Sequence, residues 1–229
     1  MGKKCTIVLL FVYTFCNSQD ITQDSLDTKY REDQFYASIS YNILNKDPDG
    51  FSQSGISTGF NIGFIRDMPI NTRRNWAIGL GLGLSSNSYN QNLRISETNG
   101  DYDYSIIDES TINVSKNKFT RYFIEAPLEI RWRTSTPSDY KFWRIYTGLK
   151  VGYLIYNTAK FRSNIGDENV SNIDDFHELQ YGLTLSAGYN TWNFQLYYGL
   201  NPLFKNDAQI DGKPIDLKAI KIGIIFYIL

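Results

Sequence analysis

Tyr122-Phe123-Ile124-Glu125-Ala126-Pro127-Leu128-Glu129-Ile130-Arg131-Trp132-Arg133 is the stretch whose reading decides the fold. Apolar Tyr122, Ile124, Ala126, Leu128, Ile130 and Trp132 alternate with Phe123, Glu125, Pro127, Glu129, Arg131 and Arg133. Successive side chains of a strand point to opposite faces, so this period of two makes one face greasy and sets the charges on the other. Pro127 donates no ladder hydrogen bond and predicts a bulge or weak pairing at that point.

Seven further segments divide the same way. From Gln34 to Leu44, Phe35, Ala37, Ile39, Tyr41 and Ile43 oppose Tyr36, Ser38, Ser40 and Asn42. Ile56, Phe60, Ile62 and Phe64 oppose Ser57, Gly59, Asn61 and Gly63, and Trp76 to Leu84 oppose Ala77, Gly79, Gly81, Gly83 and Ser85. Trp143, Ile145, Leu149, Val151, Tyr153 and Ile155 face away from Arg144, Tyr146, Gly148, Lys150 and Gly152. Leu179 to Ala187 and Trp192 to Leu200 follow the same rule on either side of the hairpin-sized turn Asn190-Thr191. The last segment sets Ile220, Ile222, Ile224, Phe226 and Ile228 against Lys221, Gly223, Ile225 and Tyr227.

In a water-soluble sandwich or lipocalin-like barrel the bulky apolar face fills the core. Here the oily face carries the bulk, while the other carries Gly, Ser, Asn and charge, so the pattern is inside out. Roughly eight strands of about ten residues predict an all-β fold, an eight-stranded antiparallel up-and-down transmembrane β-barrel, in which closure pairs every backbone group. Threaded as a meander with both termini on one side, Trp76, Trp132, Trp143 and Trp192 all fall at strand ends on that side. Aromatic rings with a polar edge favour the boundary between water and hydrocarbon, so these four predict half of a membrane girdle. The segments around 45–54, 86–118, 157–176 and 201–216 are then outward loops, and 66–75, 133–141 and Asn190-Thr191 periplasmic turns.

The start has Lys3 and Lys4, an apolar run from Thr6 to Phe15 and small residues before Gln19. That is the layout of a secretory signal over 1–18, implying Sec-type export to the outer membrane, a short periplasmic segment over 19–33 and the barrel over 34–229. A retained anchor is disfavoured because the run is shorter than the roughly 20 residues that span a bilayer. Acylation of Cys16 is an alternative, disfavoured by the bulky Phe15 before it. Cys5 and Cys16 are the only cysteines. Both leave with the signal, which excludes disulfides and thiolate-bound metals from the mature chain. A net charge of -1 offers no basic surface for nucleic acid.

Eight strands enclose little more than their own side chains, which argues against a general porin. The inward Glu125, Glu129, Arg131, Arg144, Lys150 and Lys221 are expected to form a charged lumen network, preferred as a mutually neutralising plug over a proton or ion path. The loop from Asn45 to Gly50 opens like a calcium loop, but its twelfth position is Ile56 rather than an acid. It reads as a hairpin tip. Asp101, Tyr102, Asp103, Tyr104 and Asp108 read as a mobile acidic loop, with a cation or partner patch as the alternative. His177 is the only histidine. It cannot build a zinc triad, and a Ser-His-Asp arrangement has no partners the sequence can locate. Neither a catalytic set, nor a cofactor, nor a metal site is expected.

The segment from Phe123 to Trp132, the segment Ile145-Tyr-Thr-Gly-Leu-Lys-Val-Gly-Tyr153, the turn from Arg66 to Asn71 and the last strand resemble the PorT-like outer-membrane β-barrel family. That resemblance implies a non-enzymatic, porin-like outer-membrane protein. It further implies an accessory or structural subunit of a secretion or assembly complex such as the type IX system, with membrane lipid and other outer-membrane proteins as partners. A narrow ion or small-solute channel is the alternative.

Overall fold

The computed structural model describes residues 33–45, 48–108, 112–134 and 142–228. The expected signal over 1–18, nearly all of the expected short segment that follows it, Lys46 and Asp47 of the calcium-like loop, and most of the expected turn over 133–141 lie outside the described residues. Thirteen strands run in chain order: β1 (Gln34–Asn45), β2 (Thr58–Pro69), β3 (Trp76–Asn90), β4 (Leu93–Thr98), β5 (Asp101–Ile106), β6 (Val114–Arg133), β7 (Trp143–Ser163), β8 (Gly166–Ser171), β9 (Leu179–Tyr189), β10 (Trp192–Gly199), β11 (Gln209–Ile210), β12 (Lys213–Pro214) and β13 (Lys218–Ile228).

Eight of them close a barrel. β1, β2, β3, β6, β7, β9, β10 and β13 each pair antiparallel with the next, and β13 returns to β1 from Phe35↔Ile228 to Asn45↔Lys218. The greasy faces look outward: Leu80, Leu128 and Phe194 are 53%, 49% and 75% exposed. A fold that hid them in its own interior would have put them near zero, so the inside-out reading of the alternation holds. The opposite parity points inward, where Gln34, Asn42, Asn87, Arg131 and Arg133 are buried.

Close approach between strands explains one glycine in particular. A β-carbon at Gly148 would lie 1.9 Å from the Leu128 carbonyl oxygen, so no other residue fits that inward position without moving a strand. At Pro127 the ladder between β3 and β6 is interrupted. Leu80 pairs with Leu128 and Gly83 with Glu125, but the two rungs between are missing, as expected for a residue without an N–H.

Three expectations about connections are corrected. β2 continues to Pro69, so Arg66 to Pro69 is strand rather than turn. The segment 86–118 is mostly ordered strand: β3 runs on to Asn90, β4 and β5 form a hairpin, and β6 begins at Val114. β7 likewise runs to Ser163 and turns back as β8. The cause is a change of phase in the alternation. Beyond the bilayer the inward face becomes the apolar one, with Tyr89, Phe119 and Phe161 buried, and the outward face becomes polar.

Candidate functional site

From β2, β6 and β7 inward-pointing side chains fill the end of the lumen nearest the termini. Asp67 on β2 accepts from Arg133 Nη1 at 2.7 Å and Nη2 at 2.8 Å, and from Arg131 Nη1 at 2.9 Å. All three side chains are fully buried. Arg131 also lies 3.5 Å from Glu129, donates to Gln34, and covers the Tyr146 ring at 4.1 Å. Arg144 sits over Phe142 at 4.5 Å and near Tyr227 at 5.5 Å, and has no carboxylate within ion-pair distance among the described residues.

A second tier lies further along β6 and β7. Glu125 accepts from Ser85 at 2.8 Å and pairs with Lys150 at 3.0 Å and Lys221 at 4.0 Å. The Tyr197 ring faces both ammonium groups, at 5.7 and 4.7 Å. A cavity of about 10 Å³ lies there, lined by Arg121, Glu125, Lys150, Gln180, Tyr197 and Lys221. That is room for about one water molecule. The buried charges are six cations against three carboxylates, so ion pairing alone does not neutralise them. Aromatic faces, whose negative quadrupoles attract cations, take up part of the surplus.

Above this the barrel mouth is sealed by a packed cap. Phe119, Phe176 and Phe204 meet at ring distances of 4.5 to 5.9 Å, with Tyr89 and Tyr104 stacked on their edges. Leu93, Ile95, Val170, Ile173, Leu203, Ile215 and Leu217 complete the cluster. Arg121 closes it from below, 5.3 Å from the Phe176 ring. Polar ties fix the cap: Tyr104 donates to Asp175 at 2.8 Å, and Arg94 donates through Nε to Glu168 at 3.0 Å. Burial, and then the bond to Asp175, push the Tyr104 phenol well above its usual pKa. The bond to Glu168 raises Arg94. The patch around Asp101 to Tyr104 is therefore a hairpin strand with Tyr104 in the cap core, not a mobile loop.

His177 lies in the cap with its backbone N–H on the Leu203 carbonyl at 2.9 Å. Burial, then Lys205 and Arg121, lower its pKa. Among the described residues no hydroxyl or carboxylate is hydrogen-bonded to its ring as a triad would require.

On the outside, Trp76 pairs in register with Trp132, and Trp143 and Trp192 both pair with Tyr189, so the four tryptophans occupy one end of the wall. A tyrosine level marks the other end, with Tyr41, Tyr122, Tyr153, Tyr156, Tyr181 and Tyr198 on the outer face and Tyr122 stacked on Tyr156 at 5.8 Å. From Tyr122 to Trp132 is about ten residues, roughly 33 Å of strand. At a tilt of about 40° that is roughly 25 Å of height, the thickness of an outer-membrane apolar band.

Sequence reasoning missed Asp67 and Arg121 as lumen charges, left Arg133 out of the named network although it had set it on the charged face, and missed the cap. Parity would have found the first: Asp67 continues the inward series Asn61, Gly63, Ile65. Turn chemistry pointed to the cap hairpins, since Asn99-Gly100 and Asp211-Gly212 have positive φ at both residues (57° and 92°, 50° and 76°), as a type I′ turn requires.

A closed barrel with a lipid-facing apolar wall, two aromatic levels and a polar interior defines the class of outer-membrane β-barrel proteins. The chain belongs to the family described as outer membrane protein beta-barrel domain, whose model matches residues 17–205. It is an outer-membrane protein. Among solved structures it is similar to the crystal structure of Ail, the attachment invasion locus protein of Yersinia pestis, at 14% identity and a TM-score of 0.38, over 85% of this chain and 96% of that one. The same protein in complex with the heparin analogue sucrose octasulfate matches at 16% identity and a TM-score of 0.39, over 86% and 97%. No curated protein matches the chain.

Proposed function

We propose that the protein is a non-conducting, non-enzymatic accessory subunit of an outer-membrane complex, delivered by Sec-type export and docked through its folded outer extension or its periplasmic turns. The filled interior carries this reading. Two tiers of buried charge occupy the interior, the cavity beside Glu125, Lys150 and Lys221 has room for about one water, and an aromatic cap packs over the mouth above them. Transport through the centre would require unstacking the cap and breaking the Asp67 and Glu125 pairs. The PorT-like resemblance of the β6 and β7 segments points to a secretion complex of the type IX kind.

Extraction of the native membrane in mild detergent, followed by native gel and mass spectrometry, tests the proposal. The expected result is co-migration with other envelope subunits, together with periplasmic build-up of secretion cargo when the gene is deleted. Recovery only as a lone monomer overturns the accessory role. Ohmic conductance in planar bilayers that changes in Lys150→Ala or Glu129→Ala replaces it with the channel reading.

A further inference from the structure

The outward face of the β6–β7 ribbon turns from aromatic to cationic just past the tyrosine level. Register pairs Tyr122 with Tyr156, Thr120 with Thr158, Lys118 with Lys160 and Lys116 with Arg162. Phe119 and Phe161, of the opposite parity, are buried in the cap, so all four cations share the outer face. Directly opposed side chains on one face have β-carbons about 5 Å apart, and like charges so placed are destabilising.

Little on the protein offsets them. Asp167 meets Arg162 at 3.5 Å with both side chains more than 60% exposed, which contributes little in water. Glu168, the next carboxylate on β8, is held by Arg94. Lys116, Lys118 and Lys160 have no carboxylate within ion-pair distance among the described residues, and the neighbours of the Lys118 row are the neutral amides Asn90 and Asn169. Lys118 stands on the part of β6 beyond the apolar band. Partial burial, then Lys116 and Lys160, hold its pKa below the ordinary value.

Height decides what meets this patch. Lys118 is four residues past Tyr122, about 13 Å along the strand and about 10 Å above the ring level at barrel tilt. Lysine stems bend back toward the interface, which places the ammonium groups at the headgroup layer of the outer leaflet. Below them the wall offers Tyr122, Ile124, Ile155 and Tyr156, with a register shift in the ladder beside Tyr122 and Phe123.

We propose that Lys116, Lys118, Lys160 and Arg162 bind the phosphorylated headgroup of an outer-leaflet lipid, with its acyl chains against the wall below. The anion supplies the charge the protein omits, and a lipid presents phosphate at this height joined to acyl chains that the apolar wall below can seat, which a soluble anion lacks.

The test uses the full-length protein in a nonionic detergent, titrated with bisphosphorylated lipid A, with its dephosphorylated counterpart and with inorganic phosphate, and read by native mass spectrometry. Retention of the phosphorylated lipid is expected to exceed that of the dephosphorylated one by at least tenfold, and to fall about fivefold for each cation removed in the series Lys160→Gln, Lys118→Gln, Lys116→Gln. Lys118→Arg is expected to retain binding, and a folded-barrel gel shift identifies any variant that fails to fold. Equal retention of the two lipids, or unchanged retention in a folded triple variant, overturns the proposal. Displacement of the lipid by equimolar inorganic phosphate also overturns it, in favour of a soluble-anion site.

Discussion

Asp67→Asn is the substitution that most directly tests how the lumen is held. The change keeps shape and volume but removes the charge from a fully buried side chain that accepts three hydrogen bonds from Arg131 and Arg133. One acceptor oxygen survives; the other becomes an N–H pair aimed at a guanidinium. Removing one partner of a buried ion pair typically costs about 3–5 kcal/mol, because the remaining charge is stranded. Glu129, 3.5 Å from Arg131, still offsets part of that, which points to the lower end, about 3 kcal/mol. That is roughly a hundredfold in the folded-to-unfolded ratio. Urea unfolding in phosphatidylcholine vesicles, followed by tryptophan emission and by the gel shift of the folded barrel, reads it out. Replacing all three by apolar residues, Asp67→Leu with Arg131→Met and Arg133→Met, is expected to recover most of the loss, since a well-packed apolar core often equals a buried ion pair. An Asp67→Asn barrel within about 1 kcal/mol of wild type would refute the idea that this carboxylate holds the tier together.

Leu128→Lys places a cation on the lipid face near the middle of the apolar band and is expected to destabilise by about 2–4 kcal/mol in the same assay. Gly148→Ala drives a β-carbon into the Leu128 carbonyl and is expected to cost about 1–3 kcal/mol, or to abolish the folded gel band. Phe204→Ala removes the ring shared by Phe119, Phe176 and Tyr104, and is expected to open the cap to limited proteolysis while the membrane band stays protected, with a local loss of about 3–5 kcal/mol. Because the folded Tyr104 phenol titrates above its unfolded value, its contribution is fully present below about pH 10 and lost as pH rises through the folded pKa. Alkaline loosening of the cap, read by protease sensitivity, is therefore expected in wild type and reduced in Tyr104→Phe, where the Tyr89 phenol, also raised by burial in the same cap, still titrates.

The membrane-spanning part of the fold was legible because one physical rule, apolar outward and mostly polar or small inward, recurs along each strand between the two aromatic levels, with Ile65 and Ile225 among the inward exceptions. The four tryptophans marked one level. The tyrosine level escaped notice because its members are scattered across strands of different length and become a ring only once register is known. Past Tyr122 the same rule reverses: Lys118 faces out and Phe119 faces in, as in a water-soluble sheet, so a search tuned to the first phase ends where the second begins. Asp67 was lost for a related reason, since Arg66, Asp67 and Pro69 have turn composition although the strand continues through them. Glu125, Glu129, Arg131, Arg144, Lys150 and Lys221 are all buried, and their partners depend on which strand lies beside which. Arg144 among aromatic rings is an example that periodicity does not encode.

The pairing of Phe35 with Ile228 has a consequence for how the molecule comes into being. The earliest barrel segment made finds its mate only when the latest has emerged, so no partial translation product owns a closed hydrogen-bonded circuit. Contacts that distant in sequence slow folding. Until that last seam zips, β1 and β13 each keep one edge of unpaired backbone groups, the kind of edge on which another chain can add a strand.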